Sequence, residues 1–507
     1  MRLLPACLLL AVACAPGARG DGEGGAPLML FKEPDPETRR RITDDLISNN
    51  GIGAATSDVR TLQRAELRRI GYWAVPFLKD VVYGPKSVKG VRIPMNAIMV
   101  LARILDLRAL PELRAAAQKH EDVEVRKTAG LGLGLFRRAE DLALLTRLLQ
   151  DGDFRHGHQR SAALALAKLR TAGAQEVLRA AVLTPARDVH VAAATLLAAV
   201  IATPGINLAP YLDHDEKLLR SVAAVALMLR PLAAQEAAPL LAQLKKVRED
   251  REVRALQYEA LGAVRDRTEE IRDRLLSCVV KGEERQEARI AALVGLSYEF
   301  GRAEIYAPLK RYYGSMRGRN DPQVGPLLFA MVRTGDPRAV DDLVALCGTG
   351  SSDFIAFYAG GSLLHLVANA PEELAGEGAV FDALAKLRDR PDALLRELAD
   401  LAFRVRAERE RERRRSVAAD GFSRLRDPKD LHLWDWNPAE RAWGTANGLI
   451  PRIFQLDDVA EKSKAVSPGG QSPGGKEGRT GATPEEQDLL DFLREAPYFG
   501  PEDLGGG

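Results

Sequence analysis

The chain has 507 residues, of which 46% are hydrophobic, 28% charged and 6% aromatic. That is the composition of a folded soluble protein, yet a single hydrophobic core rarely grows past about 250 to 300 residues, so one ordinary globule is excluded. With 72 Lys and Arg against 70 Asp and Glu, the net charge of +2 gives no global attraction to nucleic acid or acidic membranes.

The first predicted element spans residues 1–20. Met1-Arg2 precedes an apolar stretch from Leu3 to Ala15 and then Ala18-Arg19-Gly20, the layout of a secretory signal. The stretch is shorter than the roughly 20 apolar residues that a membrane span needs. Ala11-Val12-Ala13-Cys14 also resembles a bacterial lipoprotein signal, in which Cys14 would become the acylated first residue, although Ala11 stands where Leu is usual. Two routes of export stay open: cleavage near Gly20, or lipidation at Cys14 with membrane anchoring through that lipid. Both put the protein in the periplasm or another extracytoplasmic space, and an uncleaved N-terminal helix is the third reading. Residues 21–50 read as a tether and N-terminal cap.

Across residues 51–403 one phrase recurs, a hydrophobic residue followed by Arg and a small or apolar helical run. It stands at Val59-Arg60, Val91-Arg92, Val125-Arg126, Gln159-Arg160, Val189-His190, Leu219-Arg220, Val253-Arg254 and Ala288-Arg289, at intervals of 32, 34, 34, 30, 30, 34 and 35. A period of this length marks helical units that bury their apolar faces only by stacking. In one unit Asp122 caps a helix whose Val125, Ala129, Leu133 and Phe136 share a face. A turn at Arg137-Arg138 leads to a partner helix marked by Leu142, Leu145, Leu148 and Leu149, which stops near Gly152. Acids open the other copies: Asp58, Asp188, Asp215 with Glu216, Asp250 and Glu287. Each is placed to accept from free helix amides, and the Arg one turn on to pair with it, so the ladder reads as structural support.

The phrases DVEVRKTAGLGLG, DVHVAAATLLAAV and REVRALQYEALGAV resemble HEAT and HEAT-like repeats, from about Thr56 to Arg406. Beyond Arg289, Val324-Gly325 and Ile355-Ala356 keep the phase without the Arg. The resemblance implies an all-α, right-handed α-solenoid of about ten helix pairs with a largely irregular C-terminal extension. It further implies that second helices line a concave face used for protein recognition.

Enzymes with similar repeats frame the alternative. Deoxyhypusine hydroxylase holds iron with several His-Glu pairs; here only His120-Glu121 qualifies, with His214-Asp215 a poor second. A di-iron site needs about six converging ligands, so both pairs read as solvated turn residues. Phycobilin lyases are similar only at the level of the repeat, and HEAT-like DNA glycosylases need a basic groove that this charge balance does not supply. Asp151, Asp153, His156 and His158 form the densest set of metal-ligand types, but in a turn shared with Arg155 and Arg160. His190 replaces a ladder Arg, His365 sits on an apolar face and His432 lies in the tail. Gly130 to Gly134 falls mid-helix and reads as a close-packing surface. No catalytic residue, metal, cofactor, nucleic acid or small-molecule substrate is expected. Cys278 and Cys347, 69 residues or about two repeats apart, read as buried apolar residues too far apart to bond.

The tail changes character in steps. Residues 404–416 carry seven Arg and three Glu between Arg404 and Arg415, an extended charged helix. Residues 417–460 hold Trp434, Trp436 and Trp443; the first two alternate with Leu433 and Asp435, which fits a strand that caps the array's open end or binds a ligand. Residues 461–484 read as an unstructured Gly/Pro linker. Residues 485–507 follow Thr483-Pro484 and form a short amphipathic docking helix with Leu489, Leu490, Phe492 and Leu493. The expected function is an exported, non-enzymatic scaffold or adaptor that binds protein partners through the solenoid and this helix. The alternatives are an accessory subunit or enzyme with a substrate pocket on the concave face, and an envelope or carbohydrate binder acting through the Trp segment.

Overall fold

The computed structural model describes residues 93–150, 158–246, 249–282, 284–316, 321–348, 350–369, 377–412 and 438–454, with Pro36, Glu37, Val75, Leu78, Lys79, Val82, Tyr83 and Phe499. Among them the chain is helical throughout, with one isolated bridge between Ala233 and Arg265. In chain order the helices are α1 (Ile93–Ile104), α2 (Leu110–Lys119), α3 (Val123–Phe136), α4 (Leu142–Gln150), α5 (His158–Leu169), α6 (Ala172–Leu183) and α7 (Val189–Ala202). Next come α8 (Ala209–Leu212), α9 (Lys217–Leu229), α10 (Ala238–Leu244), α11 (Arg251–Ala263), α12 (Glu269–Val280), α13 (Gln286–Ser297) and α14 (Tyr306–Met316). The last are α15 (Val324–Arg333), α16 (Pro337–Leu346), α17 (Asp353–Asn369), α18 (Glu377–Lys386), α19 (Ala393–Glu412) and α20 (Pro438–Ile453). None is long and apolar enough to cross a membrane.

Local chemistry sets the helix ends as the sequence predicts. Asp122 accepts from the Glu124 amide at 2.8 Å, Asp188 from the amides of His190 and Val191, and Asp250 from that of Glu252. At its far end α3 stops in the turn at Arg137, which takes a left-handed conformation with φ of 51°.

The fold is an α-solenoid of two layers. The odd-numbered helices from α1 to α19, ten in all, pack directly on one another along the array, and the even-numbered ones to α18 pack on them from outside while touching each other far less. Small residues permit the close approach of the inner layer: a Cβ on Gly262 of α11 would lie 2.2 Å from the Gly295 Cα of α13, and one on Gly132 of α3 would lie 2.7 Å from the Ala102 Cβ of α1. A stack whose layers differ in spacing bends toward the closer one, so the odd layer is the concave side. It is the layer that carries the Val-Arg phrase, and the unit read from sequence is therefore offset by one helix from the unit whose second helix lines the concave face.

The ladder arginines tie repeats together. Arg220 donates to the carbonyls of His214 and Asp215 at 2.6 and 2.7 Å, behind its own helix, and to Glu249 in the next repeat at 3.0 Å. Arg126 likewise reaches the His120 carbonyl and His158 Nε2, and Arg254 reaches the Gln243 carbonyl and Glu284. Arg289 donates to the Tyr312 hydroxyl. The role is structural, as predicted, but the partner differs: Asp122 and Asp250 accept from helix amides, Asp250 from Lys217 of α9 as well, and the guanidinium reaches forward across the repeat junction.

Candidate partner-binding face

The tail returns to the middle of the array. In the segment read as irregular, α20 forms a sixteen-residue helix that lies on α7 and α9 of the concave layer. Trp443, Ala442, Ala446, Leu449, Ile450, Ile453 and Phe454 are buried, a helical face at spacings of three and four, and Trp443 is only 5% exposed. The face α20 covers belongs to repeats well before α19, so the described part of the tail sits mid-array and not at the array's end.

Charged groups hold both ends of α20. Near its start, Arg441 pairs with Glu259 of α11, with Nη2 3.0 Å from Oε2, and Glu259 is 4% exposed. Tyr298 donates to the same carboxylate at 3.4 Å; burial and then the Glu259 charge push its phenol above the ordinary range. Near its end, Arg452 reaches Glu252 at 3.2 Å, and Glu252 also accepts from Lys217 of α9 at 2.5 Å. The Lys217 hydrogen bond is the main reason the Glu252 carboxyl stays below its usual range.

Two ladder residues close the C-terminal end. Arg160 of α5, 2% exposed, donates through Nη1 to the Ile453 carbonyl at 3.0 Å. His190 of α7 lies beside the backbone of Arg452. A helix C-terminus presents unpaired carbonyls and a partial negative charge, so donors and a cation are the groups that suit it. Burial and the Arg160 charge hold His190 below the usual histidine range.

Phe499 completes the site. It is fully buried, its amide donates to Asn447 Oδ1 and its carbonyl accepts from Asn447 Nδ2, both at 2.9 Å, and Lys168 of α5 stands 5.2 Å over its ring.

The structure thus joins Trp443 to Arg160, His190, Glu259 and Phe499. Cys14, Trp434, Trp436, Leu489, Leu490, Phe492, Leu493, Asp151, Asp153, His156 and His432 lie outside the described residues. His158 is buried and accepts from Arg126 Nε at 3.0 Å; burial, then Arg126, lower its pKa to about 4. His120 corrects an expectation, being buried and not solvated: its Nε2 bonds the Val82 carbonyl at 3.0 Å and its Nδ1 accepts the Asp122 amide. His214, exposed, accepts the Glu216 amide in the same way. His365 stands edge-on to Phe329, and burial lowers it to about 4. Cys278 and Cys347 are buried free thiols, and burial pushes both up to about 12. Among the described residues no three His, Cys, Asp or Glu stand together as metal ligands. A surface indentation over α4, lined by Ala139, Leu142 and Ala143, offers only Glu140 and Arg147 as charged groups, and Arg138 already pairs with Glu140.

Sequence reasoning passed over Glu259, Arg441 and Phe499, and read Arg160 only as a member of the ladder. The usable signal was Asn437-Pro438, a helix start, followed by apolar residues at 442, 446, 449, 450 and 453.

A family model for HEAT repeats matches residues 91–156 and 110–198. No curated protein matches the chain. Among solved structures, an engineered protein is similar at 16% identity over 74% of this chain and 96% of its own, with a TM-score of 0.32. Human deoxyhypusine hydroxylase, solved with glycerol, is similar at 15% identity over 69% of this chain and 99% of its own, with a TM-score of 0.23.

Proposed function

We propose, from the premise that this chain is a HEAT-like repeat protein, that it is an exported, non-enzymatic scaffold whose concave face and C-terminal tail bind protein partners. HEAT repeats commonly mediate contacts between proteins, because a stacked array offers a long continuous surface. One observation carries the reading: buried charged groups on the concave face, Arg160 and Glu259, are arranged to hold a helix by its two ends. Such groups do positional work for a polypeptide, whereas a reaction centre needs a nucleophile or an acid-base pair converging on one point. Export rests on residues 1–20, with Cys14 as the acylated residue if the lipoprotein route is taken.

Proximity labelling with the full chain, in parallel with Glu259→Arg and Arg160→Glu forms, tests the binding role. Partners that depend on these residues are the expected result; a partner set unchanged by both substitutions sinks the assignment to this face. Mass spectrometry of the mature N-terminus tests export: a start at an acylated Cys14 or near Gly20 agrees with it, and an intact Met1 contradicts it.

A further inference from the structure

The groove beneath α20 is built for a helix, and the helix now in it is poorly built to stay. Gly444 and Gly448 stand on its exposed side, where an added Cβ would meet nothing. Glycine there leaves a helix with less intrinsic stability than alanine would, for no packing reason. Pro451 removes one more backbone donor. The groove side is opposite in character, with two nearly fully buried charges, Arg160 and Glu259, set for the two ends of a helix, and with Lys217 and Glu252 beside them.

We infer that α20 is a removable occupant of this groove, and that the groove's ligand is an amphipathic helix of a partner protein. That helix carries an Arg in its first turn for Glu259, an aromatic anchor in place of Trp443, apolar residues at spacings of three and four, and a C-terminus for Arg160 and His190. The inference rests on the scaffold reading and gives that scaffold a partner chemistry and a means of control.

Chain length favours self-occupation in the resting state. Residues 413–437 provide 25 residues between α19 and α20, an extended reach of about 85 Å. The five steps from α19 back to α9 at about 10 Å each need about 50 Å. The covalent connection makes docking of α20 intramolecular, an advantage that a second copy of the chain in dilute solution lacks. A partner helix displaces α20 by binding better, and the exposed glycines lower the stability it must exceed.

The test uses the full chain with a protease recognition site inserted within residues 413–437 and cut after folding, so that every contact residue is untouched and only the tether is lost. The probe is a fluorescein-labelled synthetic peptide of residues 438–454, followed by anisotropy. The cut protein is expected to bind it at least tenfold more tightly than the uncut protein, and peptides with Arg441→Glu or Trp443→Ala are expected to lose at least tenfold. In the uncut chain, Gly444→Ala with Gly448→Ala should weaken probe binding further. Equal binding to cut and uncut protein means that α20 does not block the groove, and no binding to either means that α20 is a permanent part of the fold; both overturn the inference. Sedimentation as a dimer with exchanged α20 also overturns it, by assigning the groove to a second copy. Because the probe needs no cellular partner, these failures are distinct from a scaffold that captures no protein at all.

Discussion

Arg160 in α5 donates to the carbonyl of Ile453 in α20 at 3.0 Å, across 293 residues of chain. A residue that repeats the ladder position of Arg126 and Arg220 here keeps the reach to the next repeat and also takes hold of the tail. It lies 4.0 Å from Asp188, the acid that caps α7, so one carboxylate both supports the next helix and steadies the cation that grips the tail.

Replacing Arg160 by Ala removes a charge-assisted hydrogen bond, worth about 1.5 to 3 kcal/mol. The expected result is at least a tenfold rise in amide hydrogen exchange across residues 438–454, with α1 to α4 unaffected. Arg160→Lys, which keeps the charge but not the forked reach, should fall between. Unchanged exchange in both variants would show that the tail is held by its apolar face alone.

The ladder itself predicts coupling between neighbouring repeats. Arg220 serves both the turn before α9 and Glu249 before α11, where both side chains are shielded from solvent. Arg220→Ala should cost about 1.5 to 3 kcal/mol in urea unfolding, more than Glu249→Gln, because only the Arg variant also leaves two carbonyls without their donor. The double variant should cost less than the sum by about 1 kcal/mol, the mark of a shared interaction. Additive costs would contradict the clip.

The array was legible in sequence because its signals are local. A capping acid, an apolar stripe and a terminating turn all lie within one unit, and recurrence at 30 to 35 residues multiplies a weak signal into a firm one. The candidate site was not legible, because its parts meet only after folding. Glu259 and Arg441 are 182 residues apart, and nothing near either in sequence marks it as half of a pair. Arg160 and His190 were visible, but as members of a ladder whose other members support helices. Trp443 was singled out in company with Trp434 and Trp436, and that alternation drew attention from the helical spacing that runs on from Trp443 to Ile453.

The inner layer's closeness predicts a sharp difference between glycines. Gly262→Ala would drive a Cβ into the backbone of Gly295, which cannot rotate away, and should cost at least about 2 kcal/mol. In Gly173→Ala the nearest atom, at 2.7 Å, is a methyl carbon of Leu142, which has another rotamer to take, so the cost should stay under about 1 kcal/mol. Thermal or urea unfolding of the two variants side by side decides it. Equal costs would mean that α11 and α13 have room to part.

Acid should weaken the array before its carboxylates titrate. His158 is buried against Arg126 and near Lys127, and its pKa of about 4 lies below the usual 6.5. Above pH 6.5 it is neutral in both folded and unfolded chains and does not affect the balance. As pH falls from 6.5 toward 4 the unfolded chain takes up a proton that the folded one refuses, so stability drops by up to about 3 kcal/mol. His365, beside Arg333 and also held to about 4, acts in the same direction over the same window. Glu299, held to about 2 chiefly by its hydrogen bond with Arg272 and then by Arg302, contributes stability that is lost only lower, between its ordinary value of 4.5 and about 2. Urea midpoints between pH 7.5 and 4.5 should therefore fall for the native chain and fall less for His158→Gln, which keeps an acceptor for Arg126 without a titrating ring. If the two chains showed the same slope, His158 would not be the group that gives the fold its sensitivity to acid.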